Sequence, residues 1–263
     1  MINPHTPDKM PDWELIPEEN RNAFQNIAAQ TNGIATVGNA ITYIGYSLTN
    51  SGLSDVEHGY SLAESGVLDL AELMTQKGNR KNRVGRVLDI VDGIAADKTG
   101  TKSPLGEKID AFADKILMLK ALRTLHRTNS APKSTIGAYL ILGSVNAVSA
   151  LEAKRKGKEI HTSKAGKIAT VLAWHSITDS IAITALSYKN EDKKKISGLE
   201  KRAKVTTALA IGLGMYATYG YVKQAFSKEA SEDLEQQDSQ YVESEGNNCN
   251  PDDDQQNKLA PRD

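Results

Sequence analysis

One cysteine, Cys249, stands among 263 residues, so no disulfide framework can form within the chain and nothing points to an oxidising compartment. Aromatic residues are scarce, at 5%, and none is interleaved with the basic clusters. A helix-turn-helix pattern and a zinc-ligand set are also missing, which argues against nucleic acid as a partner. No apolar–polar alternation recurs and no hairpin turn signal is present, leaving a chain that is nearly all α. The first twenty residues are polar and acidic, without the basic and apolar parts of a signal peptide. No D-x-D-x-D-G run with its closing Glu is present, which excludes a calcium loop of the EF-hand kind.

What is present divides the chain by charge. The formal net charge is −1, but residues 227–263 hold eleven Asp/Glu against three Lys/Arg, leaving +7 on residues 1–226. The tail is also rich in Gln and Asn and is expected to be disordered. At the other end, residues 21–30 place Phe24, Ile27 and Ala28 on one helical face. That pattern suits a short amphipathic helix, lying at a membrane surface or capping a bundle. Between the ends run four uncharged or nearly uncharged apolar segments: 33–53, 134–151, 168–186 and 205–222. The last three are 18–19 residues long, close to the ~20 that span a bilayer as a helix. They are rich in Ala, Gly, Ser and Thr, which let membrane helices pack closely. Basic clusters flank them at Lys154–Lys158, Lys164 and Lys167, Lys193–Lys195 and Lys201–Arg202, as cytoplasmic loops do. Periodicity alone does not separate such a membrane bundle from a soluble one with a core of small residues.

The densest chemistry lies in residues 89–115. Asp89 and Asp92 are three apart, Asp110 and Asp114 are four apart, and a hinge over 97–105 separates the pairs. Residues three or four apart share a helix face, so a hinge that reverses the chain brings four carboxylates together. Such a set repels itself unless divalent cations lie within it, and hard oxygen ligands suit Mg²⁺ or Mn²⁺. Sites of this type commonly hold phosphate oxygens, and two metals can clamp a diphosphate. Gly93 and Gly106 are expected to keep the helix faces open for a close approach.

Written out, the stretch reads D-x2-D-G-x2-A-D-x8-G-x3-D-x3-D from Asp89 to Asp114. It resembles the signature of the CDP-alcohol phosphatidyltransferase family, D-x2-D-G-x2-A-R-x8-G-x3-D-x3-D, in all spacings and in seven of eight fixed residues. Weaker likenesses are Gly38–Thr42, similar to the family's Pro-Asn-x-x-Thr element, and Ser163–Thr170, similar to its Gly-Lys-x-x-Thr segment. The resemblance implies an integral membrane protein of the cell membrane whose active site faces the cytoplasm. It would have six helices at about 33–53, 61–91, 106–126, 134–153, 166–187 and 204–224, in a membrane domain over 31–226. An N-terminal segment over 1–30 with the juxtamembrane helix and the disordered acidic tail over 227–263 complete the layout.

The activity implied is transfer of a substituted phosphate group from a CDP-alcohol, typically CDP-diacylglycerol, to an acceptor hydroxyl, with release of CMP. This is a step of phospholipid biosynthesis, as in phosphatidylglycerophosphate or phosphatidylinositol-phosphate synthases. By position, Asp89, Asp92, Asp110 and Asp114 would bind two divalent cations, and Asp114 would also be the base. Asn39, Thr42, Gly93, Ala96, Ser103 and Gly106 would line the nucleotide and diphosphate site. Arg155, Lys164 and Lys167 would favour a small polyol-phosphate acceptor, or else serve topology and headgroup attraction. Membrane lipids and a second copy of the chain, as family members are often homodimers, complete the expected partners. Asp179 and His175, four apart, are expected to face the bundle interior. Arg86, one turn before Asp89, is placed to reach an anionic lipid or substrate group. The family Arg after Ala96 is Asp97 here, with Lys98 or Lys102 able to supply charge instead. The alternative reading is a catalytically impaired relative that acts as a lipid-binding or structural membrane protein.

Overall fold

The computed structural model describes residues 11–158, 163–189 and 193–227. Among these residues there are seven α-helices and no strand. They are α1 (Ala23–Gln30), α2 (Val37–Glu64), α3 (Leu68–Thr99), α4 (Pro104–Arg127), α5 (Lys133–Arg155), α6 (Lys164–Ser187) and α7 (Lys193–Phe226). The acidic tail beyond Ser227, with Cys249, lies outside the described residues. The chain forms two compact units, one over 11–144 and 163–217, the other over 145–158 and 218–227. In the smaller unit, Lys156 Nζ donates to Ala225 O at 3.1 Å and lies 5.0 Å from the centre of the Phe226 ring.

The all-α expectation holds, but two helices run past their expected limits. The first long helix does not stop near residue 53: α2 continues to Glu64, and the chain turns at Gly66, whose φ of +83° favours glycine. The second runs through the basic stretch 76–86 without interruption and on to Thr99, where Gly100 takes the left-handed cap conformation. The expected hinge is therefore shorter, residues 100–103. It ends at Ser103, whose Oγ accepts from Gly106 N, with Pro104 in the first turn of α4.

The pairing of α2 with α3 organises the larger unit. Gly38, Gly45, Gly52 and Gly59 recur every seven residues on α2; Ala71, Gly78, Gly85 and Asp92 do so on α3. A seven-residue repeat keeps one line of side chains turned toward a partner helix. Here the lines face each other in opposite directions. A Cβ on Gly45 would stand 2.9 Å from Gly85 O, one on Gly52 2.5 Å from Gly78 O, and one on Gly59 2.8 Å from Ala71 O. The backbones touch, so no side chain fits in place of these three glycines. The companion line on α3 is Thr75, Asn82, Asp89 and Ala96, again seven apart. Asp89 and Asp92 thus occupy the two inward positions of one heptad, at the end of a seam otherwise built from Gly, Ala, Thr and Asn.

Beside the seam, Leu53 and Val56 of α2 join Leu117, Ala121, Leu122 and Leu125 of α4, Ile136 of α5, and Trp174, Ile177 and Ile181 of α6 in one core. Polar ties run alongside: Lys120 Nζ donates to Asn50 O at 2.8 Å, and Thr124 Oγ1 donates to Glu57 Oε1 at 2.9 Å. Thr49, Thr75, Asn82, Thr124 and Asp179 are fully buried, while Val84, Val87, Ile90, Phe112, Ile141, Val148, Val205 and Tyr216 are exposed. Polar groups inside and apolar groups outside is the pattern of helices surrounded by lipid. Among the described residues, α5 and α6 are long and apolar enough to cross a membrane. The other four expected spans do not reach that measure. α3 carries Lys77, Arg80, Lys81, Arg83 and Arg86, and α7 opens on Lys193–Lys195.

At the N-terminus, the expected amphipathic helix is α1, begun by a capping box between Asn22 and Gln25. Ala28 is buried, whereas Phe24 and Ile27 are exposed. Asn22 Nδ2 donates to Thr99 O at 3.4 Å, and the Gln25 side chain lies against Gly100, so α1 braces the hinge.

Candidate active site

The hinge turns α4 back along α3 and brings the aspartate pairs together. One carboxylate oxygen from each of Asp89, Asp92 and Asp110 lies within 4.8 Å of the others. Asp92, 6% exposed, is held on both sides: Thr42 Oγ1 on α2 donates to Oδ2 at 2.5 Å, and Gly93 N donates to Oδ1 at 2.6 Å. Asp110 Oδ1 is buried without a hydrogen-bond partner. An unpartnered buried carboxylate oxygen is unfavourable unless something positive meets it. These three residues fit a hard divalent cation in donor type and spacing.

Asp114 is turned elsewhere. Its Oδ1 accepts from Arg86 Nη1 at 2.6 Å, and the same Nη1 lies 3.4 Å from Asp89 Oδ2. Arg86, placed by the sequence to reach an anionic lipid or substrate group, meets the carboxylates of Asp114 and Asp89. Its side chain is 12% exposed, and the guanidinium carbon lies 4.7 Å from the centre of the Trp174 ring on α6.

Beside the carboxylates opens a cleft lined by Asn39, Thr42, Asp92, Gly93, Ala96, Ser103, Gly106 and Asp110, together with Thr36, Gly38, Thr101, Lys102 and Glu107. All six residues expected at a nucleotide and diphosphate site are in this one cleft. Two helix N-termini open onto it, α2 at Thr36 and α4 at Ser103, each capped by its hydroxyl oxygen. Their unpaired N–H groups and dipoles favour an anion. Asn39 ties the two together: its Nδ2 donates to Gly33 O and Ile34 O, and its Oδ1 faces Gly106. The two glycines differ in use. Gly93 has nothing within 4 Å of a would-be Cβ, so its face is open to a ligand, whereas a Cβ on Gly106 would meet Asn39 Oδ1 at 2.8 Å. Gly106 serves the approach of α2 to α4.

The remaining expected residues are spread more widely. Asp97 is 65% exposed and lies 3.6 Å from Lys102 Nζ, so the side chain in the family Arg position faces a lysine of the cleft wall. Lys164 and Lys167 are exposed on the first turn of α6, and Arg155, in the smaller unit, pairs with Glu152. Asp179 is 1% exposed, but its partner is Arg202 on α7, which donates to both carboxylate oxygens, while His175 is exposed. Thr36 and Trp174 were missed in the sequence. Thr36 was findable as a cap three residues before Asn39; Trp174 carried no local signal.

The Thr42 contact gives a direct test of how the cluster is held. Thr42→Val keeps the side-chain shape and removes the hydroxyl that positions Asp92. Loss of such an outer-shell partner weakens metal binding about 10- to 100-fold. That drop is expected in a Mn²⁺ titration, with the thermal midpoint little changed.

No curated protein and no solved structure matches the chain. No part of α1 or α2, but both aspartate pairs, the hinge between them, the whole of α4, α5 and α6 and most of α7 lie within residues 83–221, which match the family model of the CDP-alcohol phosphatidyltransferases; the chain belongs to that family.

Proposed function

We propose that the chain transfers a substituted phosphate group from a CDP-alcohol, with CDP-diacylglycerol the expected donor, to the hydroxyl of an acceptor alcohol, releasing CMP in phospholipid synthesis. The observation that carries this reading is that the three-carboxylate cluster shares Asp92 and Asp110 with a cleft onto which two helix N-termini open. The helix ends attract a diphosphate, and the carboxylates repel it unless a cation lies between. Together they suit a diphosphate that arrives with a divalent cation.

Asp89, Asp92 and Asp110 would hold that cation, Mg²⁺ or Mn²⁺, which when bound neutralises diphosphate oxygens and stabilises charge on departing CMP. The chain's own residues do the rest. The α2 and α4 N-termini and Lys102 orient the phosphates, and the open face of Gly93 admits the nucleotide. Asp114 accepts the proton of the acceptor hydroxyl, whose oxygen forms a bond to the phosphorus that carries the donor alcohol. The bond from that phosphorus to the CMP oxygen breaks, and its electron pair leaves with CMP. Arg86 orients Asp114 for that role. The exposed apolar side chains of α3 to α7 favour a membrane setting, and the basic clusters favour a site on the cytoplasmic side. Lys164 and Lys167 favour a polyol-phosphate acceptor.

The second reading, a relative impaired in catalysis, draws on Asp97 and its pairing with Lys102. One assay separates the two. Purified full-length chain in detergent is given CDP-diacylglycerol, Mg²⁺ or Mn²⁺ and a mixed pool of polyol phosphates, and CMP is measured. Metal-dependent release is expected. Its absence with every acceptor, while Mn²⁺ still binds, favours the impaired relative, and Asp97→Arg then tests whether that position limits the reaction.

A further inference from the structure

We infer that Arg86 stands in the place of a second cation, so that this chain takes one divalent cation and one fixed guanidinium where the family resemblance implies two metals. The inference rests on the metal-dependent reading above. Three observations lead to it. The oxygens that come within 4.8 Å of one another belong to Asp89, Asp92 and Asp110, without Asp114. The position between Asp114 and Asp89, on facing helices, holds Arg86 Nη1, at 2.6 Å and 3.4 Å from their oxygens. A cation shared by those two carboxylates would have to occupy the same space. The arginine is also fixed from outside the carboxylate set. It rises from α3 one turn before Asp89, and its guanidinium lies over Trp174, itself 6% exposed in the core of α6. Swinging away would abandon that ring face.

The chemistry of the two cations differs. A guanidinium keeps its proton at any working pH and is not extracted by a chelator. With one dication bound, four carboxylates and one guanidinium leave the site one negative charge from neutral before the donor enters. A second dication would sit beside a positive group already satisfied by the same oxygens. Arg86 is thus a positioning residue for Asp114 and a built-in counter-charge for the cluster.

The test is the number of Mn²⁺ ions bound per chain, measured on the purified full-length protein in detergent by equilibrium dialysis and by electron paramagnetic resonance. One ion with an uncoupled Mn²⁺ spectrum is expected for the wild type. Arg86→Gln is expected to take two, with the spectrum of a spin-coupled pair, and Arg86→Lys, which keeps the charge, to take one. Two ions in the wild type would overturn the inference and leave the proposed reaction standing. One ion in both the wild type and Arg86→Gln would also overturn it, since Arg86 would then exclude nothing. No ion in any of the three would overturn the inference and the metal-dependent reading together. Should the glutamine variant fail to fold, Arg86→Met, which also removes the charge, takes its place, and two ions are expected in it.

Discussion

Asp114→Asn is expected to lower CMP release from CDP-diacylglycerol by about 10²- to 10⁴-fold, the range for removing a general base. The substitution is chosen because it preserves the local contacts. Asparagine keeps an oxygen that accepts from Arg86 Nη1, the contact now 2.6 Å long, and it keeps the volume of the side chain. What it removes is the capacity to take a proton from the acceptor hydroxyl. The loss should fall on kcat, with KM for the donor changed only a few-fold, because the cleft residues proposed to meet the donor are untouched. Mn²⁺ affinity should stay within a few-fold as well, since Asp89, Asp92 and Asp110 form the three-oxygen cluster without it. Activity within tenfold of wild type would remove Asp114 as the base. A matching collapse of Mn²⁺ affinity would instead make it a ligand.

That arrangement, three carboxylates in a cluster and the fourth on Arg86, was only half legible in the sequence. The pairs, their spacing and the hinge are local features. Carboxylates three or four apart share a face whatever surrounds them, and Gly100, Ser103 and Pro104 are stop and start signals in their own right. Six of the cleft residues followed from the family resemblance: Gly93, Ala96 and Gly106 stand in the signature, Ser103 lies within its span, and Asn39 and Thr42 belong to the weaker likeness on α2. Arg86 was harder. In the sequence it is one of five positive charges in the run 76–86, a pattern that reads as a solvated or headgroup-facing surface. Its burial depends on Trp174, 88 residues further on and on another helix. Asp179 was foreseen as interior, but its partner Arg202 lies 23 residues away in the chain, where spacing says nothing. The extent of α2 was misjudged for a different reason. Apolarity marks the segments, and residues 54–60 are mostly polar, with Val56 the one aliphatic side chain among them. The helix continues there because Gly59 carries the seven-residue ladder onward against α3. The ladder itself was in plain view, at Gly38, Gly45, Gly52 and Gly59 on one side and Ala71, Gly78, Gly85 and Asp92 on the other.

The same ladder makes the second large effect. Gly85→Ala should destabilise the chain by at least the ~1–3 kcal/mol of an overpacked core site. The added Cβ would stand 2.6 Å from Gly45 O and press on the Thr49 side chain. A carbonyl of a packed helix has no rotamer by which to move aside, so α2 and α3 must separate as bodies. Gly143→Ala on α5 is the matched control, with nothing within 4 Å of its Cβ. There the gain in helix propensity, about 1 kcal/mol, acts alone. Thermal midpoints in detergent should therefore move in opposite directions, down for Gly85→Ala and level or up for Gly143→Ala. The site should register the change too. Asp89 and Asp92 follow Gly85 by one and two turns on the same seam, and Asp92 depends on a hydroxyl that reaches it from α2. Parting the helices at Gly85 moves Asp92 away from Thr42, so Gly85→Ala should weaken Mn²⁺ binding while leaving every carboxylate in the chain. Equal midpoints for the two variants would mean that α2 and α3 do not touch backbone to backbone. Lost stability with unchanged Mn²⁺ affinity would mean that the carboxylates are held by α4 and the hinge, and not by the seam.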